Sequence, residues 1–233
     1  MKRFTVLAIS LLCLTCMGAM AQKKQTHDQF ANFKRYEQAN KELPAPAKKE
    51  KRVVFMGNSI TEGWVKIHPE FFKENGYVGR GISGQTSYQF LLRFREDVIN
   101  LKPKLVIINA GTNDIAENTG PYDIDITFGN IASMAEIAKA NKIKVILTSV
   151  LPAAGFRWNK KITDAPDRIE ALNAKIKEYA KANKIPYVDY YTPMVTGAER
   201  ALNPDYSKDG VHPTLDGYIV MEALIKPVID KAL

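Results

Sequence analysis

Cysteine is nearly absent from this chain of 233 residues: there are two, Cys13 and Cys16, and both lie within the first 21 residues. Beyond that segment the chain can form no disulfide and offers no thiolate as nucleophile or metal ligand, so an apolar core has to stabilise it. Histidine is scarce as well. The three present, His27, His68 and His212, are far apart in sequence, which leaves no clustered ligand set for a metal. Long apolar runs are missing too. The stretch from Val6 to Leu14 falls short of the ~20 residues that span a bilayer, and no later segment approaches it.

That short apolar stretch follows Lys2 and Arg3 and precedes Ala19-Met20-Ala21, the pattern of a secretory signal peptide over residues 1–21. The residues before the two cysteines, Leu12 and Thr15, are not the Gly or Ala expected ahead of a lipid-modified cysteine. An exported protein, periplasmic or extracellular after cleavage near Ala21, is therefore expected rather than a lipid-anchored one.

Charge of one sign is also lacking where it would matter for nucleic acid. The chain carries 33 Lys+Arg against 25 Asp+Glu, but residues 22–52 hold nine basic against four acidic residues, and residues 53–233 hold 22 against 21. The surplus sits in the leader, so the main domain shows no basic imbalance that would point to a nucleic-acid partner. The leader reads as a solvated basic arm, with loose attraction to an anionic polysaccharide or membrane surface as the sharper reading. Phe30, Phe33, Tyr36 and Leu43 predict a helix there, and Pro44-Ala45-Pro46 with the charged run to Arg52 predicts a linker.

From residue 53 to 233 the pattern alternates. Short apolar runs at 52–56, 77–78, 105–108, 144–148 and 186–189 read as buried strands, and helical spacing covers roughly 85–101, 124–141, 166–183 and 214–231. Strands alternating with helices predict one α/β domain: a doubly wound, mostly parallel five-stranded sheet in flavodoxin-like order 2-1-3-4-5, with helices on both faces. In such a sheet the active crevice lies beyond the carboxyl ends of the strands. Four segments belong there: Gly57-Asn58-Ser59-Ile60, Gly81-Ile82-Ser83-Gly84-Gln85-Thr86, Asn109-Ala110-Gly111-Thr112-Asn113-Asp114, and Asp209-Gly210-Val211-His212-Pro213.

Together these hold what a hydroxyl nucleophile needs: Ser59 after a strand, His212 as base, Asp209 three residues before it to orient it, and N–H donors for an oxyanion in the glycine turns and Asn113. Singly, each has a plainer role. Ser59 could be a helix N-cap, Asp209 and Asn113 turn formers, the glycines positive-φ residues. The combination, in order, shifts the balance. The rival motif Gly79-Arg-Gly81-Ile-Ser-Gly84 satisfies G-x-G-x-x-G, but the next strand ends in Asn109 where a dinucleotide site needs an acid.

The four segments resemble the SGNH hydrolase family, also called GDSL-type lipases and acylhydrolases, over about residues 53–218. Asn58 stands where that family usually has Asp. The resemblance implies a carboxylic ester hydrolase with Ser59 as nucleophile, Asp209 and His212 completing a triad, and Ser59, Gly84 and Asn113 as oxyanion donors. It implies no cofactor and no metal. The likeness is greatest to platelet-activating-factor acetylhydrolases and carbohydrate acetylesterases, so a short acyl group, acetyl on a polysaccharide or small-molecule ester, is expected. Lipase or thioesterase action on longer chains, or a catalytically silent carbohydrate-binding protein, are the alternatives. Phe156 and Trp158, after the fourth strand, are candidates to stack on a sugar or shelter an acyl chain, or simply to pack their loop. Oligomeric state is not legible.

Overall fold

The computed structural model describes residues 26–233. The predicted signal segment lies outside them, and so does the supposed cleavage site. Five parallel strands form the sheet: β1 (Val53–Gly57), β2 (Tyr77–Gly81), β3 (Leu105–Ile108), β4 (Lys144–Thr148) and β5 (Tyr187–Val188). Their spatial order is β2-β1-β3-β4-β5, the flavodoxin-like order expected from the alternation. Val53 pairs with Tyr77 on one side and Leu105 on the other, and Leu105 pairs with Lys144, so all strands start on one pole.

Burial on both faces explains why the strands are unbroken apolar runs. The two-residue side-chain period then divides each strand between two cores. Val54, Met56, Val106, Ile108, Val145 and Leu147 face α5 (Ser87–Asp97), α7 (Ile124–Ala140) and α8 (Ala165–Ala182). Val53, Phe55, Leu105, Ile107 and Ile146 face α3 (Ser59–Ile67), α4 (Pro69–Asn75) and α10 (Leu215–Ala232). On that second face Phe55, Trp64, Phe71 and Phe72 form an aromatic cluster, with Trp64 stacked on Phe71 at 5.5 Å and on Tyr218 at 5.4 Å. Trp64 is thus a core residue.

The strands and the four long helices sit close to their expected places. Missing from the expectation are α3 and α4, two short helices broken where His68 meets Pro69, the four-residue helices α6 (Thr112–Ile115) and α9 (Tyr191–Met194), and a hairpin of two-residue strands, β6 (Val195–Thr196) and β7 (Ala201–Leu202). The four-residue helices and two-residue strands are too short to show a period, and α3 and α4 are each only about two turns long.

The arm is two helices rather than one: α1 (His27–Ala31) and α2 (Lys34–Glu42), separated where Asn32 takes left-handed φ 55° and ends the first. It also lies on the domain rather than in solvent. Ala31 is fully buried, the Gln85 amide donates to the Ala31 carbonyl at 2.9 Å, Gln89 donates to the Phe30 carbonyl at 2.8 Å, and the Tyr36 hydroxyl donates to the Gly81 carbonyl. Arg80 lies over the Tyr36 ring at 4.7 Å and donates to Asn40 at 2.8 Å.

Candidate active site

β1 leaves the sheet at the point where strand order reverses, and the chain turns at once into α3. Asn58 is the cap of that helix. Its side-chain oxygen accepts the Ile60 N–H at 2.9 Å, so Ser59 is the first helical residue and its side chain is not spent on capping. The residue that departs from the family pattern therefore does the capping that a plain reading assigns to Ser59. Gly81, ending β2, passes so close that a Cβ there would meet the Glu62 nitrogen at 2.3 Å and the Asn58 carbonyl at 2.6 Å. Only glycine lets the second segment approach the Ser59 turn.

The Ser59 Oγ lies 2.8 Å from His212 Nε2, and His212 Nδ1 lies 2.7 Å from Asp209 Oδ2. With Nδ1–H donated to the carboxylate, Nε2 is left to accept the serine proton. The loop holding the pair is fixed by its own backbone. Asp209 Oδ1 accepts N–H groups of Val211 at 2.9 Å and His212 at 2.8 Å, and the Ser207 hydroxyl donates to the His212 carbonyl at 2.8 Å. Partial burial works against the Asp209 charge, but the hydrogen bonds from His212 and Val211 outweigh it and hold the carboxyl at about 2.

Across from the histidine stand the oxyanion candidates. The N–H of Ser59 heads α3, and the N–H of Gly84 sits in a turn with φ +78°; neither donates to another described residue. Asn113, buried on the first turn of α6, gives one amide hydrogen to the Gln85 carbonyl at 2.9 Å and keeps a second. Its neighbour Asp114 is structural. It accepts the Ser87 N–H at 3.0 Å and the Ser87 hydroxyl at 2.5 Å, and burial nonetheless pushes its carboxyl up.

Behind these donors lies a network that sequence reasoning missed. Arg93, fully buried on α5, donates to Gln85 Oε1 at 2.6 Å, Asp97 at 2.8 Å and the Gly57 carbonyl at 3.0 Å. One guanidinium thus ties the end of β1 to the Gly84 segment. Its signal in the sequence is an arginine on the otherwise apolar face of Phe90 and Phe94. In front, Glu62 accepts the N–H of Ser83 at 2.9 Å and binds Lys66 at 2.8 Å and Arg35 at 3.1 Å.

The aromatic pair divides. Phe156, only 3% exposed, belongs to the core and offers substrate no face, which corrects the expectation for that residue. Trp158 covers it at 5.2 Å, is 48% exposed, and lies 6.4 Å from the His212 ring. Its indole N–H donates to Asn118 Oδ1 at 2.8 Å, and the Asn118 amide donates to the Gly84 carbonyl at 3.0 Å. Nothing in the sequence marked Asn118, a loop residue whose two partners are 40 and 34 positions away.

The other candidates take ordinary places. His27 is exposed at the start of α1, and His68 bonds Glu222 at 2.8 Å. Asn109 spends its amide on Thr148 at 2.7 Å and the Ser149 carbonyl at 3.0 Å, so the strand end that a dinucleotide site would use is committed to the sheet. Among the described residues, no group of three or more His, Cys, Asp or Glu is arranged to hold a metal ion, and no helix is long and apolar enough to cross a membrane.

Residues 55–220 match the GDSL-like lipase/acylhydrolase family. The chain belongs to that family. A GDSL-like lipase of Bacteroides thetaiotaomicron is 74% identical, with TM-score 0.87 over 88% of this chain and 100% of that one. The esterase TesA of Pseudomonas aeruginosa is 29% identical over 164 residues, 69% of this chain and 74% of its own length. An acetylxylan esterase of Xylanibacter ruminicola is 24% identical over 81% of this chain, which spans 45% of that protein. This GDSL-like protein is accordingly a carboxylic ester hydrolase, with the five-stranded parallel sheet of its relatives.

Proposed function

We propose that this GDSL-like hydrolase is an exported serine esterase that removes short acyl groups, acetyl above all, from carbohydrate. The observation that carries the catalytic part is the run of contacts from Ser59 through His212 to Asp209 at 2.8 and 2.7 Å. His212 takes the Ser59 proton as the hydroxyl attacks the ester carbonyl. The N–H groups of Ser59 and Gly84 and the free amide hydrogen of Asn113 receive the oxyanion. His212 then protonates the leaving alcohol, and an acyl-serine remains. Water, deprotonated by the same imidazole, hydrolyses it.

The open indole of Trp158 beside His212 supports a sugar as the carrier of the acyl group, since an exposed aromatic face stacks on a pyranose and costs little in conformational entropy. The acetylxylan esterase among the relatives points the same way. Export is proposed from the residues before Gln22, and residues 22–52 are taken as an arm to a hydrolase domain of 53–233.

Hydrolysis of p-nitrophenyl esters from acetyl to decanoyl, with Ser59→Ala beside the parent, tests the reading. A Ser59-dependent preference for acetyl sustains it; a maximum at long chains moves the assignment to lipid or thioester substrates. On acetylated xylooligosaccharides, Trp158→Ala should raise KM about tenfold with kcat little changed, the size of one lost stacking contact. An unchanged KM would remove Trp158 from the sugar site.

A further inference from the structure

Four of the five strands are preceded or opened by lysine: Lys48, Lys49 and Lys51 ahead of β1, Lys102 and Lys104 ahead of β3, Lys142 and Lys144 at β4, and Lys184 ahead of β5. In sequence these groups are some 40 or 50 residues apart and look unrelated. A parallel sheet brings every strand start to one pole, and the backbone ladder here does so side by side: the Lys104 N–H donates to the Arg52 carbonyl at 2.8 Å and the Lys144 N–H to the Lys104 carbonyl at 3.0 Å. All eight lysines are exposed, and none pairs with a carboxylate among the described residues. The nearby Glu50 is taken by Arg52 at 2.7 Å, and the Lys144 ammonium donates to the Ala232 carbonyl.

Helix ends account for part of this. Lys102, Lys142 and Lys184 follow helical segments with left-handed φ of 52°, 61° and 55°, where a cation complements the last carbonyls. Lys144 does the same for the end of α10 through the Ala232 carbonyl, whereas Lys48, Lys49, Lys51 and Lys104 have no such duty. Between the lysines run two adjoining clefts of about 530 and 620 Å³, which share Lys142 and Ile143. Pro186 is an exposed apolar residue there, Pro103 and Ile143 are buried beneath, and Asn100, Asn141 and Asn183 line the clefts together with the ammonium groups.

We propose that this pole is a docking groove for an acidic polysaccharide. The exposed asparagine amides meet the hydroxyls of the sugar rings, and the ring carboxylates or sulfates meet the lysines. Two adjoining clefts with asparagine between the lysines suit a chain of hydroxylated rings better than a flat bilayer. It lies at the strand starts, opposite the crevice at the strand ends, so a docked enzyme keeps Ser59 open. The surface does not depend on how Ser59 is assigned.

The test is binding of the full chain to polygalacturonate at about 0.05 M and about 0.3 M salt, with neutral dextran as reference and anionic phospholipid vesicles as competitor. The pole variant Lys102→Glu/Lys142→Glu/Lys184→Glu is compared with Lys34→Glu/Lys161→Glu/Lys177→Glu, which makes the same charge change elsewhere. The pole variant should bind about tenfold more weakly or worse while the control holds, with binding lost at the higher salt and p-nitrophenyl acetate turnover as in the parent for the pole variant. Equal losses in both variants, parent binding no better than to dextran, or displacement by vesicles at lower charge concentration than polygalacturonate would each overturn the proposal, the last in favour of a membrane surface.

Discussion

The two sides of the crevice are built on different principles. His212 and Asp209 sit in a half-exposed loop whose bonds close within five residues, from Ser207 to His212. The oxyanion side has almost no local support: Gly84 and Asn113 depend on Gln85, which depends on Arg93, which reaches back to Gly57, and the arm braces the same segment through Ala31 and Phe30. The base side should lose a side chain with little effect on folding. The oxyanion side should lose stability with each one, because Gln85, Arg93 and Asn113 are buried and their partners would be left unpaired.

The largest effect expected is at the reacting groups. Ser59→Ala and His212→Ala should each lower kcat about 10⁴-fold or more with little change in melting temperature, read by ester hydrolysis and thermal unfolding together. Turnover near the parent rate would end the assignment. Asp209, held at about 2, keeps its charge down to about pH 3, so its own protonation should not shape the rate above that pH.

Arg93→Met sharpens the contrast from the other side. Removing the guanidinium strands Asp97, Gln85 Oε1 and the Gly57 carbonyl, and should cost about 3–5 kcal/mol of stability, with activity lost along with it. Urea unfolding measures it. A loss below about 1 kcal/mol would mean the two sides are not held so differently. Asn113→Ala falls between: kcat should drop about 10²–10³-fold for the missing donor, with a smaller loss of stability for the Gln85 carbonyl left unbonded.

The same division explains what could be read beforehand. The base side is a local motif, and the meeting of Asp209, His212 and Ser59 was legible because their residue types and order mark them. The sheet was legible because strands buried on both faces are continuous apolar runs, and the order followed from right-handed crossovers. The Arg93 network was not, since its acceptors include a backbone carbonyl and its partners lie 8 and 36 residues away. Phe156 and Trp158 illustrate the limit from another direction. Two aromatics two residues apart in one loop have opposite fates, one in the core and one at the crevice, and composition says nothing about which.

Glu62 gives the smallest effect and the finest test of the oxyanion side. Burial works against its charge, yet bonds from Lys66, Ser83 and Arg35 prevail and bring it down to about 2 from 4.5. A carboxyl lowered in the folded state contributes stability that is fully present above its unfolded value and disappears as pH falls through its folded one. The clasp on Ser83 should therefore hold at pH 6 and weaken between about pH 4.5 and 2. In Glu62→Gln that part of the acid dependence should vanish, so parent and variant melting curves should differ most near neutrality and converge toward pH 2. A difference that stays constant across the range would show that Glu62 acts through packing and not through its charge. The arm would then brace the Gly84 segment by Gln85, Gln89 and Tyr36 alone.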